Sequence, residues 1–309
     1  MNTLRIAVLL PCYNEEAAVA QTVAGFRAAL PTANIYVYDN NSSDRTREVA
    51  AEAGAIVRSE RMQGKGNVVR RMFADVEADI YVMADGDATY DAAAAPALIA
   101  KLLDEQLDMV VGARKSQVEE AYRRGHRLGN RLFTGLLARL FGRTFSDIFS
   151  GYRVFSRRFA KSFPALSRGF ETETEISVHA LELVMPVGEI VTAYGARPEG
   201  SESKLSTYRD GWRILKTILH LVRIERPVLF YGSFAIALAM LAITLSIPLM
   251  MTYAETGLVP RFPTAILATG LMIVAALSFM TGLILDTVVR GRREVRRLHY
   301  LSFPAPGAK

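Results

Sequence analysis

Two uninterrupted apolar stretches constrain this chain more than any other feature. From Val228 to Ala254 there are 27 residues without Asp, Glu, Lys, Arg or His, and from Phe262 to Leu285 another 24. At ~1.5 Å per helical residue, each exceeds the ~30 Å hydrocarbon core of a bilayer. Core helices of soluble proteins rarely run so long without a charge, so both stretches are predicted membrane spans, with Pro248 kinking the first near its end. Basic residues set the orientation. Arg209, Arg213, Lys216, Arg223 and Arg226 precede the first span, and Arg290, Arg292, Arg293, Arg296 and Arg297 follow the second. The connecting loop has only Arg261, balanced by Glu255. The positive-inside rule therefore places both ends in the cytoplasm, with the first ~225 residues as a cytoplasmic domain of a multi-pass membrane protein. The segment Leu4 to Leu10 is too short for a signal peptide and runs into a polar turn.

Ahead of the spans, the chain alternates in period. Apolar runs of strand length occur at Ile6 to Leu10, Ile35 to Tyr38, Ala55 to Val57, Ile80 to Met83 and Met109 to Val111. Between them lie helical stretches such as Glu16 to Leu30 and Asp44 to Ala53. Such alternation predicts an α/β domain with a mostly parallel, doubly wound sheet, whose ligands bind beyond the carboxyl ends of the strands. Those ends read Pro11-Cys12-Tyr13-Asn14-Glu15, Asp39-Asn40-Asn41-Ser42-Ser43-Asp44 and Ala84-Asp85-Gly86-Asp87, so three strands deliver polar clusters to one edge. Half of the residues are apolar and 22% charged, which excludes a disordered chain. The single Cys12 excludes an internal disulfide or a Cys-rich zinc site, and His126, His179, His220 and His299 have no zinc spacing.

After Arg114 the pattern becomes helical and basic. Leu128, Leu132, Leu136 and Leu140 form an apolar face while Arg123, Arg124, Arg127, Arg131, Arg139 and Arg143 lie mostly elsewhere, so residues about 120–143 are predicted as an interfacial amphipathic helix. Residues 205–227 repeat the design, with Trp212 as an interfacial anchor. The expected organisation is a catalytic domain over 1–204, a juxtamembrane helix over 205–227, two spans over 228–289 and a basic cytoplasmic tail over 290–309, frayed after Tyr300. Gly232, Ala235 and Ala239 are small enough to pack helices within one chain or between subunits of a homo-oligomer.

Chemistry concentrates at Asp85 and Asp87. Two residues apart at a strand end, their carboxylates would point to one side and offer the oxygen ligands that a hard divalent cation bridging two phosphates requires. The competing reading is a plain Asp-Gly turn. Asp39 ends the second strand, where a carboxylate can accept hydrogen bonds from a base or ribose, and Asp44 is placed to cap the next helix. Gln63-Gly64-Lys65-Gly66-Asn67 opens a helix, with glycines that admit a phosphate and Lys65 to neutralise it, yet it is no Walker loop.

In ordered combination, Pro11 through Glu16, Asp39 through Thr46, Gly64-Lys65-Gly66 and Asp85-Gly86-Asp87 resemble a family 2 glycosyltransferase with the Rossmann-like GT-A fold. Asp147-Ile148-Phe149-Ser150-Gly151-Tyr152-Arg153 and the run from Arg197 to Leu205 resemble the polyprenyl-phosphate branch, of the dolichol-phosphate mannose synthase type. The resemblance spans roughly residues 4–290. It implies that Pro11, Tyr13, Glu15 and Asp39 surround the nucleotide, that Lys65 faces its phosphates, and that Asp85 and Asp87, flanking Gly86, hold Mg²⁺ or Mn²⁺. Arg114, Ser150, Arg153, Arg197 and Lys204 resemble positions that receive the lipid phosphate and clamp the pyrophosphate, which makes Arg153 and Arg197 candidate catalytic residues beside the two aspartates. Some members place Gln two residues after the second metal Asp, where this chain has Thr89, so the resemblance leaves a third metal ligand open.

The implied reaction is inverting, metal-dependent transfer of one sugar from a UDP- or GDP-sugar to polyprenyl phosphate at the cytoplasmic membrane face, for cell-envelope glycans, with a lipid-linked-sugar flippase as a downstream partner. An ionised lipid phosphate attacks without a conventional base, so the protein's task is positioning and stabilisation of the leaving group. Glu171, Glu173 and Glu175 are candidates for sugar hydroxyls, or merely the acidic first turn of a helix running to Val184. Two rival readings remain. A processive polysaccharide synthase is disfavoured because the single Trp212 is outside a Gln-x-x-Arg-Trp sequence, and a silent nucleotide-sugar-binding scaffold need not keep both aspartates. The net charge of +6 does not indicate nucleic acid, because the basic residues cluster beside the spans and on apolar-backed helices.

Overall fold

A computed structural model of the chain describes residues 4–116, 145–167, 171–196 and 222–307, with the single positions 135, 198, 216, 219 and 220. The interfacial helix expected over 120–143 and most of the juxtamembrane helix therefore lie outside the described residues, as do Arg197, Lys204 and Trp212. The chain divides into two compact units, Met1–Gly211 together with Arg296–Lys309, and Trp212–Val295.

The first unit is built on a seven-stranded sheet. Its elements run β1 (Ile6–Cys12), α1 (Val19–Ala29), β2 (Asn34–Asp39), α2 (Thr46–Glu52), β3 (Ile56–Ser59), α3 (Lys65–Asp75), β4 (Ile80–Met83), α4 (Ala95–Asp104), β5 (Met109–Ser116), β6 (Arg153–Ser156), α5 (Arg157–Ser162), α6 (Thr172–Glu182) and β7 (Val187–Tyr194). The sheet order is β3-β2-β1-β4-β6-β5-β7. Strands β3, β2, β1 and β4 are mutually parallel, β6 runs antiparallel to both neighbours, and β5 pairs parallel with β7. The five expected strands are present, and β6 and β7 are additions.

Central strands buried on both faces read as continuous apolar runs, and β1 and β4 do so. Val8, Leu10, Val82 and Ala84 face α1 and α4, where Val19, Val23, Phe26 and Leu98 complete one core. On the opposite face Phe73 of α3 packs edge-on to Tyr81, Phe155 and Phe163, and Phe159 stacks on Phe155. Helices α3, α5 and α6 pack together on that side, giving three layers. The first unit is closed by its own C-terminal segment. Arg296 pairs with the buried Glu182 at 2.8 Å, Tyr300 donates to Asp108 at 2.7 Å, and the ring of Phe303 lies under Arg157. Of the tail expected to fray after Tyr300, Leu301 is still helical and Phe303 packs under Arg157.

The second unit contains α7 (Pro227–Thr256) and α8 (Phe262–Leu301 as a continuous helix, of which residues up to 295 belong here). Both are long and apolar enough to cross a membrane, with mean hydropathy of 2.3 and 2.1 over their most apolar windows. Their buried positions repeat every seven residues: Ala235, Ala242 and Leu249 on α7, and Ala268, Ala275, Gly282 and Val289 on α8. A heptad of small residues lets two helices approach closely along one seam. Gly282 lies where a Cβ would come within 3.2 Å of Tyr231 Cβ, and Ser278 donates to the Tyr231 carbonyl at 3.2 Å. Of the small residues expected to pack helices, Gly232 and Ala235 are buried and Ala239 is half-buried. The outward side chains, among them Met250, Ile266, Leu277 and Ile284, are each about 60% exposed or more, apolar surface of the kind that hydrocarbon covers.

Candidate active site

Because β1 pairs in parallel with both β2 and β4, the carboxyl ends of all three strands emerge on one edge. Cys12 and Asp39 are register partners there. The loops after β1 and β2 are stitched together: Asn14, at φ 52°, accepts from the Ser43 amide at 2.8 Å and donates its own amide to Ser42 Oγ at 2.9 Å. Asp39 is buried and accepts from the Ser42 amide at 3.2 Å. Glu15, also buried, donates its amide to Thr46 Oγ1 at 2.9 Å, while Tyr13 stays exposed. Asp44 accepts from the Thr46 amide at 3.0 Å and so serves the start of α2, as its position predicts.

Asn40 is a site residue that sequence reasoning passed over; its place directly after Asp39 was the available signal. Its side-chain amide donates to the carbonyls of Glu60 and Met62, both at 2.9 Å, and its carbonyl oxygen accepts from the Gly64 amide at 2.7 Å. Gly64 adopts φ 124°, a conformation that only glycine takes without strain. This loop delivers Lys65 as the first residue of α3.

After β4 comes the Asp85-Gly86-Asp87 turn. Gly86 sits directly on Cys12, so a Cβ there would collide with the sulfur, and its carbonyl accepts from Thr22 Oγ1 at 3.1 Å. Cys12 is packing, as expected. Burial pushes its thiol up, and the nearby carboxylates of Glu15, Asp85, Asp39 and Asp87 push the same way. Four acids from three strand ends thus lie near enough to Cys12 to act on it. Asp87 is buried and its Oδ1 accepts from the Thr89 hydroxyl at 2.6 Å and amide at 3.2 Å. Thr89 therefore orients Asp87. The Asp85 side chain, 31% exposed, rests on Gly151, where a Cβ would come within 2.8 Å of its Oδ2.

No group of three or more His, Cys, Asp or Glu suited to a metal occurs among the described residues. Two carboxylates nevertheless fit a hard divalent cation, which takes its remaining ligands from water and substrate phosphates. The donor set is oxygen only, since the one soft atom nearby is a buried, protonated thiol beneath the turn.

Lys65 does not point into open space. Its ammonium contacts Asp85 Oδ1 and lies 2.5 Å from Glu173 Oε1, with the lysine side chain 11% and the glutamate 7% exposed. Burial alone would lower its pKa, but Asp85 and Glu173 outweigh that and hold it firmly protonated. Of the three glutamates in the acidic run, Glu173 alone makes this pair; Glu175 instead accepts the amides of Leu166 and Ser167, both at 2.8 Å.

Arg153 requires a correction. It is fully buried, donating to the carbonyls of Ser150 at 2.9 Å and Ile148 at 2.5 Å and to Ser177 Oγ at 2.9 Å. Burial lowers its pKa to about 10, leaving it charged near neutrality. A guanidinium so engaged braces the loop before β6 and does not reach a lipid phosphate. Ser150 is also fully buried, its hydroxyl donating to the Gly112 carbonyl at 2.6 Å, so it too holds the loop. Arg114, by contrast, stays partly exposed: it forms a two-pronged pair with Asp147 at 2.7 and 2.9 Å and lies over the Tyr194 ring.

Comparison with known proteins agrees with this architecture. The family model described as "Glycosyl transferase family 2" matches residues 7–163. Glycosyltransferase AglJ of Haloferax volcanii is 31% identical over 234 residues, covering 75% of this chain and 77% of its own. A dolichol-phosphate mannosyltransferase of Pyrococcus furiosus is 28% identical over 118 residues, covering 36% of this chain and 33% of its own. Among solved structures, glucosyl-3-phosphoglycerate synthase from Mycobacterium tuberculosis, in complex with Mn²⁺, uridine diphosphate and glucosyl-3-phosphoglycerate, superposes with a TM-score of 0.58 at 23% identity, over 71% of this chain and 79% of that one. That likeness establishes a shared fold. With half of its length matched by the family model and most of it aligned to AglJ, the chain belongs to glycosyl transferase family 2 and is a glycosyltransferase.

Proposed function

We propose that this enzyme transfers one sugar from a nucleoside-diphosphate sugar to polyprenyl phosphate at the cytoplasmic face of a bacterial inner membrane, inverting the anomeric carbon. The observation that carries this reading is the convergence of Glu15, Asp39, Asp85 and Asp87 on one strand-end edge, in a chain that also contains two helices fit to span a bilayer. A sugar-transferring domain tethered to a bilayer by its own chain calls for an acceptor that lives in the membrane. The mannosyltransferase relative, whose name specifies dolichol phosphate, supports the same class of acceptor.

In this reading Pro11, Tyr13, Glu15 and Asp39 line the nucleoside, with Asp39 accepting from ribose or base. Asp85 and Asp87 would hold Mg²⁺ or Mn²⁺. Such a cation, bound to the diphosphate, would neutralise charge on the leaving group. The acceptor phosphate is ionised near neutral pH, so its oxygen attacks the anomeric carbon directly while the bond from that carbon to the nucleotide phosphate breaks. Arg114, partly exposed beside Asp147, and Arg197 and Lys204, outside the described residues, are the cations proposed to receive the lipid phosphate. Arg153 and Ser150 serve from behind by fixing the loop that carries Asp147 and Gly151.

The test uses the full chain in detergent with Mn²⁺ or Mg²⁺ and a panel of UDP- and GDP-sugars, following nucleoside diphosphate release with and without undecaprenyl phosphate. Lipid-dependent release from one donor is expected and would name the sugar. Release that is indifferent to lipid would overturn the acceptor.

A further inference from the structure

The Lys65 ammonium occupies ground that a divalent cation would contest. It lies against Asp85 Oδ1, on one of the two carboxylates proposed to hold the metal, and its other partner is the buried Glu173 at 2.5 Å. Glu173 is not placed there by chance flexibility. Gly66, the residue after Lys65, presses so closely on the Ser167 carbonyl that a Cβ would not fit, and a Cβ there would also come within 2.8 Å of Thr172 Oγ1. The Ser167 and Thr172 hydroxyls bond each other at 3.0 Å, and Glu175 clasps the amides of Leu166 and Ser167. One turn on, Ser177 donates to the Glu173 carbonyl at 2.9 Å and accepts from Arg153. The starts of α3 and α6 are therefore locked together with Lys65 and Glu173 face to face.

From this arrangement we infer that Glu173 is a positioning residue, the counter-ion that keeps Lys65 when a divalent cation takes Asp85. A buried ammonium cannot be left unpaired beside a doubly charged ion without a large penalty. With Glu173 present, Lys65 gives up Asp85 and retains one carboxylate; without it, Lys65 and the metal compete for the same oxygen. This inference rests on the reading of Asp85 and Asp87 as metal ligands, and it assigns Glu173 a task distinct from contacting sugar hydroxyls.

The experiment is a Mn²⁺ titration of the full chain in detergent, without nucleotide or donor, with free Mn²⁺ followed by electron paramagnetic resonance. Wild type should bind Mn²⁺, and Asp87→Ala should abolish it. Glu173→Gln should weaken binding at least tenfold. Lys65→Met should bind at least as tightly as wild type, and the double variant Lys65→Met/Glu173→Gln should recover wild-type affinity or better, because the competing charge is gone. A merely structural role for Glu173 would leave the double variant as weak as Glu173→Gln. Unchanged affinity in Glu173→Gln, or no recovery in the double variant, overturns the inference while leaving the metal site standing. No Asp87-dependent binding in wild type overturns both.

Discussion

The two ends of the central sheet treat their acids differently. At the amino end of β5, Asp108 is completely buried and accepts from Ser156 Oγ at 2.7 Å, from both prongs of Arg158, and from Tyr300 at 2.7 Å. Its single charge is met by a single guanidinium, and hydroxyls fill the remaining acceptor positions. At the carboxyl ends of β1, β2 and β4 the acids come from several elements. Glu15, Asp39, Asp85, Asp87 and Glu173 lie there, and Lys65 bridges Asp85 and Glu173. Carboxylates from several strand ends at a partly exposed edge are what a hard divalent cation can use, whereas a fully buried one-to-one pair is a structural ion pair. The partly exposed group marks the candidate site and the buried pair marks the brace.

That contrast breaks most directly at Asp87. Asp87→Ala should lower turnover by roughly a thousandfold, equivalent to about 4 kcal/mol of barrier, with little change in thermal unfolding. If sugar transfer survives, the acidic group at the strand ends is not the catalytic feature. Asp108→Ala should do the reverse. Leaving Arg158 and Tyr300 without their acceptor should cost about 3 kcal/mol of stability, read as a lowered unfolding midpoint in detergent, while turnover per folded molecule is retained.

The brace has a pH signature of its own. His179, buried among Phe159, Phe163 and Ser162, is held neutral: burial, aided by the nearby Arg296 charge, lowers its pKa to about 3. The unfolded chain protonates this imidazole below about pH 6.5 and the folded chain does not, so stability should fall by about 1.4 kcal/mol for each pH unit between there and pH 3. His179→Phe should flatten that slope in unfolding curves taken across the range. Tyr300→Phe is the mildest probe. Losing one hydroxyl to Asp108 should cost about 1 kcal/mol, and a larger loss would show that the C-terminal segment is a more important prop than one hydrogen bond.

Much of this was legible in the residues. The strands Ile6 to Leu10, Ile35 to Tyr38, Ala55 to Val57, Ile80 to Met83 and Met109 to Val111 could be read because a buried parallel strand needs consecutive apolar side chains. Strand β6 escaped because it has four residues and begins with an arginine, which out of context looks like a ligand for phosphate. Arg153 illustrates the limit: its charge was visible, but its partners are two backbone carbonyls and a serine from another helix, which no local pattern encodes. The same holds for Lys65, expected opposite phosphates and found between two carboxylates, one of them more than a hundred residues away.

What the sequence determined by itself was whatever depends on order and period along the chain: the alternating α/β domain, the edge on which strand ends would meet, the Asp85-Gly86-Asp87 turn, and the two apolar helices. Tertiary structure alone decided which charges pair with which. Whether Arg153 reaches outward or braces a loop, whether Tyr300 finds Asp108, and which glutamate faces Lys65 all depend on contacts between distant segments. Burial makes such contacts strong by removing competing water, and burial is a property of the packed molecule rather than of any stretch of its chain.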